Sequence, residues 1–172
     1  VQTCALPISQ HGNNNAYCLD SAISWVDWTL LESNADLHRV VKALIHFRKQ
    51  HPALRVNNFD GIPNDHLPCC SFHGNQPWQP DWSDQSRQLA WMMAARDPNN
   101  SANTDVVYVA TNMAHYASWF NLPDPPPSYQ WKLCFNTGDQ SQPVHHNQPV
   151  FEDSGLLLGE RSVLILTASK GP

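Results

Sequence analysis

The feature that most restricts how this chain can fold is one amphipathic segment, residues 35–51, placed ahead of a long stretch in which that period never returns. Leu37, Val40, Val41, Leu44, Ile45 and the aliphatic stem of Arg48 recur at i, i+3, i+4 spacing, and Phe47 widens the stripe. Ser33 or Asn34 caps such a helix and Asp36 suits its positive end. Arg48 and Lys49 suit the negative end, and Pro52 forbids continuation. A helix with a single apolar stripe needs a surface to lie on. No second helix of comparable pattern follows to supply it.

The flanks differ in kind. Upstream, His11-Gly12-Asn13-Asn14-Asn15-Ala16-Tyr17-Cys18-Leu19-Asp20 reads as a shaped loop, because short amides bond nearby main chain and tolerate left-handed backbone. Downstream, the Asn, Asp, Gly and Pro of residues 55–68 mark a linker, and the domain boundary is placed after residue 57. Beyond it come short runs of strand length: 67–73, 88–94, 106–111, 116–121, 129–135, 150–154 and 162–167. Asp97-Pro98-Asn99-Asn100, the proline-rich 122–128 and Thr137-Gly138-Asp139 separate them. Val106–Thr111 and Ser162–Thr167 are apolar on both faces, as central strands are, and Trp131, Leu133 and Phe135 share one face. Seven such runs predict an antiparallel β-sandwich. In a strand the adjacent Cys69 and Cys70 fall on opposite faces, which argues against a shared metal or a bridge between them.

The ordered motifs Gly12-Asn13-Asn14-Asn15-Ala16-Tyr17-Cys18, Ile23-Ser24-Trp25-Val26-Asp27-Trp28 and Leu44 to Leu54 resemble the end of the catalytic barrel in isoamylase-type glycogen and starch debranching enzymes of the α-amylase superfamily, glycoside hydrolase family 13. His73-Gly74, Pro80-Asp81-Trp82-Ser83, Ser86-Arg87, Leu89-Ala90 and Arg161 to Leu166 are similar to that family's C-terminal domain, so the resemblance runs from about residue 10 to the end. It implies an α+β arrangement: the last loop and helix of a (β/α)8 barrel over residues 10–57, then a C-terminal β-sandwich over 58–172. Residues 1–9 match neither, lacking the last strand and acidic ending that the family carries there, and are expected to be foreign to the domain or disordered. The implied activity is hydrolysis of α-1,6 branch linkages in a branched α-glucan such as glycogen, with no cofactor. The implied compartment is the bacterial cytoplasm, with the plastid as the alternative. The family's Asp-Asn before the Ile-Ser-Trp motif is replaced here by Asp20-Ser21-Ala22, which removes one amide.

Glycosidase chemistry with retention needs two carboxyl groups about 5 Å apart. Of the three glutamates, Glu32 precedes the helix and Glu152 and Glu160 sit in turn-like surroundings, so no catalytic residue is assigned. By resemblance the family's nucleophile and acid belong to earlier barrel strands, and the chain by itself is expected to be inactive. The loop is the better binding candidate. Asn14, Asn15, Tyr17 and Asp20 offer amide, phenol and carboxylate groups to sugar hydroxyls, and Tyr17 a ring to stack on a pyranose. A self-capping loop is the plainer alternative.

Net charge of -5 without a Lys/Arg cluster argues against nucleic acid or an anionic membrane surface as partner. No apolar run approaches the ~20 residues of a membrane-crossing helix. Five cysteines without CxxC spacing suit a reducing compartment, and His145-His146, in turn-like surroundings, lacks the further ligands of a zinc site. Among the tryptophans, Trp25, Trp28, Trp119 and Trp131 are expected in the core, whereas Trp78 and Trp82, flanked by Pro77 and Pro80, are expected exposed as an interdomain wedge. The rival readings are a non-catalytic carbohydrate-binding or structural module and another amylase-superfamily enzyme.

Overall fold

Asp27 opens the helical region: its Oδ1 accepts from the Thr29 N–H at 3.0 Å and from the Thr29 hydroxyl at 2.6 Å. The computed structural model, which describes residues 20–57, 67–98, 100–139, 141–150 and 155–170, continues from there into α1, Leu30–Ser33, and α2, Ala35–Gln50. The second helix starts beyond Asn34, whose carbonyl accepts from His38 at 3.0 Å, and stops ahead of Pro52 as its sequence requires. A 3-10 turn, Pro52–Arg55, follows. The expected buried stripe is only partly covered, with Val40, Val41 and Leu44 half-buried. Phe47 is the one buried residue of α2, while Leu37 and Ile45 remain 50% and 53% exposed.

Two compact units divide the chain between Phe47 and Arg48. The second holds all eight strands: β1 Cys70–His73, β2 Gln88–Asp97, β3 Asn100–Asn112, β4 Ser118–Asn121, β5 Tyr129–Asn136, β6 Val144–Pro149, β7 Gly155–Leu158 and β8 Ser162–Lys170. Six form one sheet in the order β1-β2-β3-β8-β5-β6, and β4 pairs with β7 in a small second sheet. Every pairing among the described residues is antiparallel. A parallel barrel strand is absent from them.

The two sheets share one core. Met92, Tyr108 and Leu166 of the large sheet meet Phe120 and Leu158 of the small one, all at most 1% exposed. On area bookkeeping each such side chain contributes about 1.5–3 kcal/mol. The large sheet is apolar on its other face too, as the two-sided runs predict: Trp91, Met93, Val107, Val109 and Ile165 alternate with the core residues, and β3 and β8 lie in the middle of the strand order. The small sheet is held close. A Cβ on Gly155 would collide with the Phe120 carbonyl and stand 2.7 Å from the Trp119 ring nitrogen, so β7 reaches β4 only with glycine there.

Three expectations are corrected. The turn-like reading of His145-His146 gives way to β6, an edge strand that tolerates Pro149 because its outer side needs no ladder donor. The run expected over 150–154 is a strand at Gly155–Leu158 instead, residues 151–154 lying outside the described residues. Trp131, Leu133 and Phe135 do not share a face. A bulge between Leu133 and Phe135 pairs Leu133 with Leu166 on the core side but Phe135 with Ile165 on the opposite side, and Cys134 is the extra residue.

Candidate functional site

Three of the four predicted glucan contacts, Asn14, Asn15 and Tyr17, lie outside the described residues. Asp20 lies within them and is exposed, and its Oδ1 accepts from the Trp25 indole N–H at 2.7 Å. That bond fixes the turn entering Ile23-Ser24-Trp25, where Ser24 also donates to the Ser21 carbonyl at 3.0 Å. Trp25 and Trp28 are 58% and 73% exposed, against the expectation of core positions, because a short turn and a single helix give them nothing to pack under. Trp119 is likewise 42% exposed, while Trp131 is buried as expected, its indole donating to the Pro123 carbonyl at 2.9 Å. Glu32 and Glu160 are exposed, and Glu152 lies outside the described residues. Among the described residues no group of three or more His, Cys, Asp or Glu side chains is placed to hold a metal ion.

The most developed polar and aromatic arrangement surrounds the end of β1. His73 is fully buried beneath the loop that β1 feeds, with its ring 4.7 Å from Trp78 and 5.7 Å from Tyr108. The Trp78 backbone N–H donates to His73 Nδ1 at 2.9 Å, so Nδ1 carries no proton and Nε2–H donates to the Ser71 hydroxyl at 2.9 Å. Burial holds the imidazole below its ordinary pKa of 6.5, and a proton on Nδ1 would oppose the Trp78 N–H. The bond holds Trp78 at φ 63°, a left-handed conformation uncommon for a bulky residue. Gly74 makes the same loop possible, since a Cβ there would meet the Gln79 carbonyl. Burial also raises the Tyr108 phenol well above its usual range.

The loop turns again at Asp81, whose Oδ1 accepts from the Ser83 N–H at 2.9 Å, and bonds from Ser83 hold that carboxyl below its ordinary pKa. This turn sets Trp82 edge-on against Phe72, ring centres 5.3 Å apart, at the lip of a cleft of about 410 Å³. Trp78 and Trp82 are exposed, at 53% and 65%, as the prolines beside them suggested.

Two anchoring residues escaped the sequence reading. Asp105 of β3 accepts from the Ala53 N–H at 2.9 Å and lies 2.7 Å from His51 Nδ1, which ties the 3-10 turn to the large sheet and leaves Ala53 fully buried. The available signal was an aspartate directly ahead of Val106-Val107-Tyr108-Val109, since an acid in such a strand needs a partner. Asn112 is fully buried and its amide donates to the carbonyls of Tyr116, Leu158 and Gly159 at 2.8, 3.2 and 2.9 Å. These bonds join the end of β3 to β7. Nothing near Asn112 in sequence announced it.

Comparison with known proteins places this architecture. The family model described as Isoamylase 1-3, C-terminal, matches residues 71–148, from β1 through nearly all of β6. Isoamylase 1, chloroplastic, from Oryza sativa subsp. japonica is 34% identical over 127 residues, covering 74% of this chain. The chain carries an isoamylase-type C-terminal domain. An isoamylase from Flavobacterium sp is 32% identical over 93% of this chain. The chain spans 14% of the rice relative and 22% of the bacterial one. In fold, the isoamylase-type domain superposes on the pullulanase from Bacillus acidopullulyticus with a TM-score of 0.63, covering 92% of this chain and 17% of that one at 19% identity. The matched stretch contains His73, Trp78, Trp82, Asp105 and Asn112, the residues that build the loop and anchor the sheets.

Proposed function

We propose that this chain is the C-terminal part of a debranching enzyme that hydrolyses α-1,6 linkages in a branched α-glucan, and that residues 10–57 close the catalytic barrel of that enzyme. The observation that carries the reading is α2. A sixteen-residue helix with a continuous apolar stripe leaves Leu37 and Ile45 half exposed, which is the surface a helix of a barrel's outer ring presents to the strands inside it. The family of the strand domain behind it supplies the identity of the barrel. The domain boundary then falls after residue 57, with residues 58–172 as the sandwich.

In this reading Asn14, Asn15, Tyr17 and Asp20 form one rim of the substrate cleft. The amides and the Asp20 carboxylate meet sugar hydroxyls, and the Asp20–Trp25 bond sets the direction from which the loop approaches. The reacting carboxylates belong to the barrel, so the 172-residue chain contributes support and part of the rim. The three described cysteines, Cys69, Cys70 and Cys134, are free thiols, which suits a reducing compartment such as a bacterial cytoplasm or plastid stroma where stored glucan is handled.

The test is a debranching assay on glycogen with the polypeptide of the complete reading frame beside the 172-residue chain. Release of linear chains by the former and none by the latter is the expected result. A complete polypeptide that leaves branched glucan untouched overturns the proposal.

A further inference from the structure

The small sheet carries an aromatic surface of its own. Trp119 and Leu157 are direct partners across β4 and β7 on the side away from the shared core, and they remain 42% and 60% exposed. The indole is held in one orientation: Nε1 donates to Asn121 Oδ1 at 2.7 Å and stands where a Cβ on Gly155 would come within 2.7 Å of it. The ring thus leans along the strand pair, over a residue without a side chain, instead of standing free. Asn121 in turn donates from Nδ2 to Gln76 Oε1 at 2.8 Å, and Asn75 Nδ2 donates to the Trp119 carbonyl at 3.0 Å. Because the Asn121 N–H also donates to the Asn75 carbonyl at 2.9 Å, the loop after β1 runs on beside β4.

That loop brings a second indole. Two residues past Gln76 the chain doubles back, the Gln79 N–H donating to the Gln76 carbonyl at 3.4 Å, with Trp78 at the tip. Trp78 keeps its left-handed φ of 63° while its ring, packed against His73, stays 53% exposed. Strain of this kind persists only where the surroundings impose it, and it gathers at ligand sites. Here a fully buried histidine holds a solvent-facing indole in place.

The composition of the surface selects a ligand class. Among the described residues, Asn75 Oδ1 and Gln76 Nε2 have no partner, one an acceptor and the other a donor. Residues 74–80, 116–123 and 155–159 contain no Asp, Glu, Lys or Arg, so an ion finds no counter-charge in them. A pyranose has an apolar C–H face bordered by hydroxyls that each need a donor or an acceptor, and indole surface beside open amides meets both demands. Taking its ligand from the debranching reading, we infer that Trp119, Leu157 and Trp78, with the amides of Asn75, Gln76 and Asn121, form a binding surface for a linear α-1,4-linked glucan chain, carried by the strand domain itself. The pinned ring and bonded amides are ordered before the sugar arrives, so little freedom is lost on binding.

Hydroxyl-radical footprinting of the complete polypeptide, read by mass spectrometry with the radical dose matched by an adenine dosimeter, tests this. Linear maltoheptaose is the probe, since it has no branch linkage to hydrolyse. Oxidation of Trp119 and Leu157 is expected to fall severalfold at saturating maltoheptaose. Equal oxidation of Trp119 with and without the sugar overturns the inference. So does a Trp119 as slow as buried Met92 before sugar is added, because a protein surface would then already cover it. Gln76→Ala, at an exposed position, is expected to raise the half-protecting maltoheptaose concentration about fivefold, as the loss of one hydrogen bond does. An unchanged concentration counts against the inference. Glycogen debranching is assayed on the same preparations. Activity with Trp119 indifferent to maltoheptaose removes this inference alone, whereas protection without activity keeps it and removes the debranching reading.

Discussion

Helix α2 and strand β3 are the two most strongly patterned segments of the molecule, and their fates are opposite. Val106, Val107 and Tyr108 are completely buried and Val109 nearly so, flanked by β2 and β8 and apolar on both faces. Along α2 a stripe of equal regularity leaves Leu37 and Ile45 half exposed. Periodicity states which side of an element must be covered. It does not state that the cover lies within the same stretch of sequence.

The largest effect expected from this contrast is in the shared core. Leu166→Ala removes a fully buried side chain of β8 and is expected to cost about 2–5 kcal/mol in urea unfolding of the 172-residue chain. A loss no larger than that of an exposed site would dissolve the contrast. Gly155→Ala comes next, at about 1–3 kcal/mol, because the added methyl runs into the Phe120 carbonyl across the β4–β7 pair. An unchanged unfolding midpoint would mean that the small sheet shifts freely.

Asp105→Ala separates the 3-10 turn from the sheet. It leaves the buried Ala53 N–H without its acceptor, at an expected cost of about 1–3 kcal/mol, together with faster hydrogen exchange at Ala53. Exchange at Ala53 that does not respond would show that the turn is held by apolar contact alone.

The His73 prediction concerns pH. Its folded pKa is depressed below 6.5 by burial, so as pH falls the unfolded chain takes up the proton first. The stability that neutral His73 contributes is whole above about 6.5 and is lost as pH falls below that value toward the folded pKa. His73→Gln should therefore be most damaging at neutral pH, and the gap in stability between it and the parent should narrow at pH 5. A gap constant with pH would remove the imidazole from the account. At the small end, Leu37→Ala should change the stability of the 172-residue chain by no more than about 0.5 kcal/mol. A cost like that of Leu166→Ala would show that the helix stripe is covered after all.

Much of the strand domain was readable from local chemistry. Prolines and Asx residues marked the breaks, and two-sided apolar runs marked the central strands. The unread parts have physical reasons. The bulge at Cys134 inserts one residue into an otherwise clean alternation and moves Phe135 to the opposite face, which no period-2 pattern reveals. Strand β6 carries His145, Asn147 and Pro149, poor strand formers that an edge tolerates and a central position would not. Asn112 and Asp105 act through partners far away in sequence, so only the assembled sheets show what they hold. At the candidate rim, Asp20 was legible as a polar loop residue, but its bond to Trp25 depends on a turn that the Asp20-Ser21-Ala22 stretch does not advertise.

The adjacent cysteines at the start of β1 offer a last consequence. Cys69 sits 6% exposed within the core cluster, while Cys70, half-buried, pairs with Met93 on the opposite face. Two neighbouring sulfurs thus look into different worlds, and a thiol-specific dye would meet them on separate clocks. Labelling of half-buried Cys70 needs only local access from the outer face, and labelling of Cys69 waits for the domain itself to come apart. The molecule carries its own pair of reporters, one for the outer face and one for unfolding, a single peptide bond apart.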